Sequence, residues 1–163
     1  MTDTTTAYHE AAHAVIGRVL GLTCGHASIS PAARTATRPY EAGHAKIRDP
    51  WLTVWDWEQR ERYRDARQAF RGTIIANMAG AEAEVEFFGQ CQRSDGDDRH
   101  KISLLMDSRY AEIPADNWDR YEARLRAHTR RLVRRHRDAI ERVAAALLDR
   151  GTLQPDEIDE LLT

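Results

Sequence analysis

Apolar residues recur at helical spacing from the start of the chain. Ala12, Val15, Ile16, Val19 and Leu20 fall at i, i+3, i+4, i+7 and i+8, and Gly21 follows as a stop. The spacing predicts a helix over 5–20 with a partly buried face, and Asp3 and the Thr4–Thr6 run offer its N-caps. Two loosely alternating stretches come next, at 25–31 and 43–48. A loop rich in Pro, Ala, Thr and Arg (31–39) separates them, and Asp49-Pro50 closes the second. Together they predict a small β hairpin or edge ribbon over about 25–48.

Trp51, Trp55 and Trp57 then cluster ahead of a charged helix reaching about Arg71, and are expected as core anchors or an interface. The segment 73–88 is apolar and small (Ile74, Ile75, Met78, Ala79, Ala83, Phe87). It predicts a central helix on which Gly80 and the alanines let another helix approach closely and which Gly89 caps. A polar stretch, Arg93-Ser94-Asp95-Gly96-Asp97-Asp98-Arg99-His100, leads into renewed helical spacing at Ile102, Leu105 and Met106. The last third predicts helices over 116–162: one long helix to about Arg150, then Gly151, then a capped short helix from Pro155 to Leu162. The expected fold is mainly α, a single domain over 1–163 with a small β ribbon and a long C-terminal helix.

Composition narrows the class. Lys and Arg number 24 against 26 Asp and Glu, so a net charge of −2 argues for neither a nucleic-acid nor a membrane partner. The many arginines between Arg120 and Arg137 are interspersed with acids and read as a solvated helix face. No apolar run approaches the roughly 18–20 residues of a membrane span, and no leader marks export, so a cytoplasmic protein is expected. Cys24 and Cys91 are isolated and read as reduced residues, not as a disulfide or a zinc pair. Neither a P-loop nor a dinucleotide fingerprint is present.

The chemistry enters with His9-Glu10-Ala11-Ala12-His13, an HExxH motif on the first helix. Residues four apart lie about 40° apart around a helix, so both imidazoles reach one ion. Glu10 then stands beside a water on that ion, where a general base belongs. Two histidines leave a zinc ion short of a third protein ligand, which the acidic stretch at 93–100 can provide. It lacks the alternating oxygen donors and terminal glutamate of an EF-hand, and its plainer role is to cap a helix. Ile102, Leu105 and Met106 lie at +4, +7 and +8 from Asp98, which puts Asp98 on the buried face, with Asp97 about 100° away. Asp98 is therefore the expected ligand, with Asp95 and Asp97 as alternatives. His26 and His44 can be argued as metal ligands, but alternating strands commonly carry histidines and they read more simply as strand-surface residues.

These residues resemble the peptidase domain of FtsH, the membrane-bound AAA zinc protease. Tyr8–Arg18 is similar to that family's HEAGHA helix, and Ala79–Gly89 to its GGRxAEExxxG helix. Ser94–Ile102 is similar to the TGASNDIxxA loop, whose aspartate falls on Asp98. The closing pattern from Leu147-Leu148 through Thr152-Leu153 to Ile158 and Leu161 is also similar. Ala12, Ala79 and Ala81 stand where the family has glycine, glycine and arginine. The resemblance implies Zn2+ held by His9, His13 and Asp98, with Glu10 catalytic, and a peptide or unfolded protein as substrate. No part of the chain matches the family's ATPase module or membrane anchor. The implied activity is therefore ATP-independent cleavage of flexible segments, unless a separate partner protein supplies the motor. The alternative is a peptidase-derived interaction or regulatory protein with a structural or residual zinc site.

Overall fold

The computed structural model describes residues 3–30, 43–58, 63–91 and 96–163. Among them the chain is mainly helical, as expected. α1 (Asp3–Val19) is followed by β1 (Cys24–Ser28) and β2 (His44–Ile47), then α2 (Pro50–Glu58), α3 (Tyr63–Phe88) and α4 (Gly96–Met106). α5 (Trp118–Arg135), α6 (Arg137–Arg150), β3 (Thr152–Leu153) and α7 (Pro155–Leu162) complete it.

α1 begins earlier than the apolar spacing implied. Thr4–Thr6 are its first turn, with Thr5 and Thr6 buried. It is also enclosed on more than one side. Ala7, Ala11, Ala12, Ala14, Val15 and Ile16 are all buried in the larger apolar core, which α3 and α6 share. The run of alanines has a packing reason: small side chains let neighbouring elements close on α1 from several directions. The methyl of Ala12 lies in that core. Val19, counted on the apolar stripe, is instead largely exposed near the helix end.

The ribbon exists, antiparallel as expected, with Ala27 opposite Ala45 and Ser28 opposite His44. A third strand was not anticipated. Thr152 and Leu153 pair with Ser28 and Ala27 on the other side of β1, giving the order β2-β1-β3. β1 is thus central and β2 an edge.

Two helix boundaries differ from the reading of the pattern. The charged stretch before Arg71 and the apolar segment after it form one helix, α3, which runs through Gly72 without a break. Gly72 is accommodated because Leu22 packs against its bare Cα. The long C-terminal helix is two: at His136 the backbone leaves helical geometry (φ −108°, ψ 22°), separating α5 from α6. Gly89 and Gly151 end α3 and α6 at positive φ, as their positions imply.

The tryptophans lie on α2. Trp51 stacks edge-on against Phe70 and Tyr110 but stays 47% exposed, and Trp55 is 67% exposed, whereas Val54 reaches the second core. Trp57's side chain, the 31–39 loop and Asp95 lie outside the described residues. On α5 and α6, Arg130 bonds Glu82, Arg134 and Arg137 bond Glu86, and Arg126 bonds Glu122. Arg120, Arg124, Arg131 and Arg135 face solvent, as expected. Cys24 and Cys91 are not joined. No helix among the described residues is long and apolar enough to cross a membrane.

Candidate metal centre

α1 and α3 pack along their lengths, and that contact sets the site. His9 and His13, one turn apart on α1, turn their rings toward α3 and are almost fully buried. Gly80 makes room for the first of them. A Cβ at that position would fall on the His9 ring, 2.5 Å from Cδ2 and 2.6 Å from Cε1, and against Nε2 as well. The expectation that Gly80 admits a close neighbour is met by an imidazole rather than by a helix backbone.

Each ring is held by its Nδ1. His13 Nδ1 donates to the backbone carbonyl of Ala76 at 2.6 Å, and His9 Nδ1 donates to Glu84 Oε1 at 2.7 Å. A carbonyl can only accept, so the Nδ1 of His13 carries a proton, and in the neutral ring its Nε2 faces inward as a lone pair. Glu84 holds the His9 ring through the same nitrogen. Both Nε2 atoms then point at one oxygen, Asp98 Oδ2, at 2.9 Å from His9 and 3.2 Å from His13. Asp98 comes from the first turn of α4, 89 residues beyond His9. Its other oxygen lies 3.5 Å from Lys101 Nζ.

Three of the expected residues therefore converge, with one ligand atom from each within 4.8 Å of the others. Asp97, in the same turn, is exposed. Two imidazole lone pairs and a carboxylate oxygen, all electron-rich, repel one another unless a proton or a cation lies between them. The charges agree. Burial opposes a charge on His9, yet hydrogen bonds to Asp98 and Glu84, with the nearby charges of Glu10 and Asp98, push its pKa up to about 9. Burial also opposes ionisation of Asp98, but the His13 and His9 imidazoles hold its carboxyl well below the usual carboxylate range. The pocket draws positive charge to itself.

The donor set fits a divalent transition metal. Nitrogen and oxygen donors about 2.0–2.1 Å from a tetrahedral zinc lie about 3.3 Å apart; Asp98 Oδ2 is 2.9 and 3.2 Å from the two imidazole nitrogens, and the three ligand atoms lie within 4.8 Å of one another. The outer contacts from Glu84 and Ala76 are those that orient imidazole ligands.

Glu10 completes the group. It is buried, one residue from His9, on the side of α1 facing the start of the edge strand. A Cβ on Gly43 would come within 2.9 Å of Glu10 Cγ, 2.8 Å of Thr6 Cγ2 and 2.9 Å of Ser28 O. Only glycine lets the chain enter β2 this close to the carboxylate.

The role of Glu84 was not anticipated from the sequence. Its signal was available: Ala76, Gly80 and Glu84 recur at i, i+4 and i+8 on α3, so an acid lies on the same small-residue seam that faces α1. His26 and His44, read as unrelated surface residues, are in contact, with Nε2 atoms 2.8 Å apart. Compared with models of known protein families and with curated proteins, the chain gives no match.

Proposed function

We propose that this chain is a zinc-dependent endopeptidase of the FtsH peptidase type, cutting unfolded or flexible segments in the cytoplasm without ATP. The observation that carries the reading is the convergence of His9 Nε2 and His13 Nε2 on Asp98 Oδ2, with Glu10 buried next to His9 in sequence and its charge felt by that ring. The motif resemblance supports it, since the residues that carry the resemblance are the ones that meet.

His9 and His13 would hold zinc through Nε2, and Asp98 through its carboxylate. When bound, zinc supplies Lewis acidity, which polarises a carbonyl and acidifies water. Glu10 is the general base: its carboxylate takes a proton from the attacking water and delivers it to the departing amine nitrogen as the peptide bond breaks. Glu84 and the Ala76 carbonyl keep the histidines in the tautomer and orientation that this requires. The edge strand β2 starts beside Glu10, and its outer side has no partner strand among the described residues. An extended peptide can add there through main-chain hydrogen bonds, which fits cleavage that tolerates many sequences.

The test is Glu10→Gln. The variant keeps about one zinc per chain and loses peptide cleavage by about 10²–10⁴-fold, the usual contribution of a general base. Retained cleavage removes Glu10 from the mechanism, and loss of zinc from the variant removes its assigned role.

One observation favours a second reading, a peptidase-derived interaction protein with a structural zinc. Trp51, Leu52 and Trp55 lie within about 100° of one another around α2, and are 47%, 60% and 67% exposed. Such a cluster suits a protein contact. Turnover of casein or a fluorogenic peptide that stops on chelation supports the enzyme. Zinc that raises the melting temperature with no turnover of either substrate supports the docking protein.

A further inference from the structure

The outer face of the sheet carries a second pair of imidazoles that the proposed reaction leaves unused. His26 on β1 and His44 on β2 have Nε2 atoms 2.8 Å apart, ring centroids 4.9 Å apart and planes at 85°. Their meeting follows from the register. Ala27 and Ala45 are opposite each other and face the core, so the neighbouring His26 and His44 take the other face. Between Cys24 and Ala27 the register shifts, with three steps on β1 against two on β2, and β1 bulges at Gly25–His26. Lys46, the nearer cross-strand neighbour of His26, lays its stem over Gly25, where a Cβ would meet it at 3.1–3.3 Å. With Lys46 displaced to that side, His26 faces His44.

We propose that His26 and His44 form a second transition-metal site, binding Zn2+, Ni2+ or Cu2+ through their two Nε2 atoms and tying the edge strand β2 to β1. Imidazole nitrogen is a suitable donor for all three ions. In the hydrogen-bonded pair one ring donates Nε2–H to the other. Binding requires only that this ring move its proton to Nδ1, so both lone pairs face the cation and no net proton is released. Donors about 2.0–2.1 Å from a tetrahedral ion lie about 3.3 Å apart, so the rings must separate by about half an ångström. Both side chains are half-buried and reach solvent, which leaves room for that movement and for water in the remaining coordination positions. Among the described residues no third histidine, cysteine or carboxylate joins them, so the site is weaker than the centre at His9, His13 and Asp98. It shares no residue with that centre and does not depend on the peptidase reading.

The experiment is a calorimetric titration of Ni2+ into the full chain already holding one equivalent of zinc, for the wild type, His26→Gln and His44→Gln. The wild type takes up one Ni2+, and either substitution weakens that uptake at least about tenfold while the zinc content stays the same. No uptake of Ni2+ by the wild type, or wild-type affinity in both variants, overturns the proposal. A second readout needs no variant: paramagnetic Ni2+ broadens backbone amide signals of β1 and β2 first, and broadening centred elsewhere overturns it. Should the HExxH centre prove unable to hold zinc, the broadening at β1 and β2 is unchanged, which separates the two failures.

Discussion

Gly80 is where a single missing methyl decides whether His9 has a place to sit. Gly80→Ala sets a Cβ against the imidazole, which α1 cannot withdraw because it is packed by α3 and α6. Zinc affinity should fall about 10–100-fold, the range for disturbing a ligand's orientation. Stability should fall by about 1–3 kcal/mol from overpacking. Competition with a colorimetric chelator and urea unfolding measure the two. Equal zinc affinity in variant and wild type would contradict the packing argument.

The titration of the centre gives a second residue-scale prediction, for the metal-free protein. His9 has its pKa raised to about 9 in the fold, so the stability it contributes is fully present below its unfolded value, near 6.5, and is lost as pH rises through about 9. Asp98 is depressed, so its contribution is present above its unfolded value, near 3.8, and is lost as pH falls toward the folded one. The chelated protein should therefore melt highest between about pH 4 and 6.5, and progressively lower above pH 7. Zinc must displace the His9 proton, so proton release should accompany binding and affinity should rise with pH up to about 9. Calorimetry in two buffers of different ionisation enthalpy checks the proton count. His9 and His13 were legible at this scale because helical spacing brings them to one side, and Asp98 because it shares a face with Ile102, Leu105 and Met106 and falls on the aspartate of the family's loop. Glu84 and Gly80 act through a different helix, and no local spacing pairs α3 with α1.

Element boundaries were less legible than element types, for identifiable reasons. The change from a charged stretch to an apolar one between Arg71 and Thr73 suggested a boundary, and glycine in a helix costs about 1 kcal/mol at Gly72 between them. Tertiary contact with Leu22 outweighs that cost, and α3 continues. At His136 the reverse happened. The apolar stripe continues across it, from Leu132 and Val133 to Ile140 and Val143, and no glycine or proline marks the break. The bend lets α5 stay on α3 while α6 turns onto α1. β3 is only two residues long and carries no strand period of its own; its pairing with β1 is purely a matter of tertiary placement. Gly151 joins α6 to β3 at φ 76°, ψ −32°, a backbone conformation that a side chain strains. Gly151→Ala should cost about 1–3 kcal/mol in urea unfolding while leaving zinc per folded chain unchanged. A loss of zinc without a loss of stability would show that the turn acts on the centre directly.

In the whole molecule the apolar residues separate into two clusters. One gathers α1, α6 and β3 with Ile75, Ala79 and Ala83 of α3; the other gathers Val54, Phe70, Ile74, Met78, Ile102, Leu105 and Met106 from α2, α3 and α4. His9 and His13 belong to the first side and Asp98 to the second, so an ion held by the three would join them beside the link that α3 already makes. Zinc at a hundred times its dissociation constant should add about 2.7 kcal/mol of stability. Its removal should raise hydrogen exchange in α4 well before α1, whose core contacts do not pass through the ion. Simultaneous loss of protection in α1 and α4 would mean that the two clusters already open as one.

The central place of β1 has a consequence for how the protein is made. Strand β3 and helix α6 complete the surroundings of β1 and α1, yet they leave the ribosome long after His9 and His13 have emerged. Until then α1 lacks the cover of α6, although α3 and α4, which aim its rings, are already made. The rings are therefore aimed before their helix is enclosed, and the last residues made are the ones that shut the core around it.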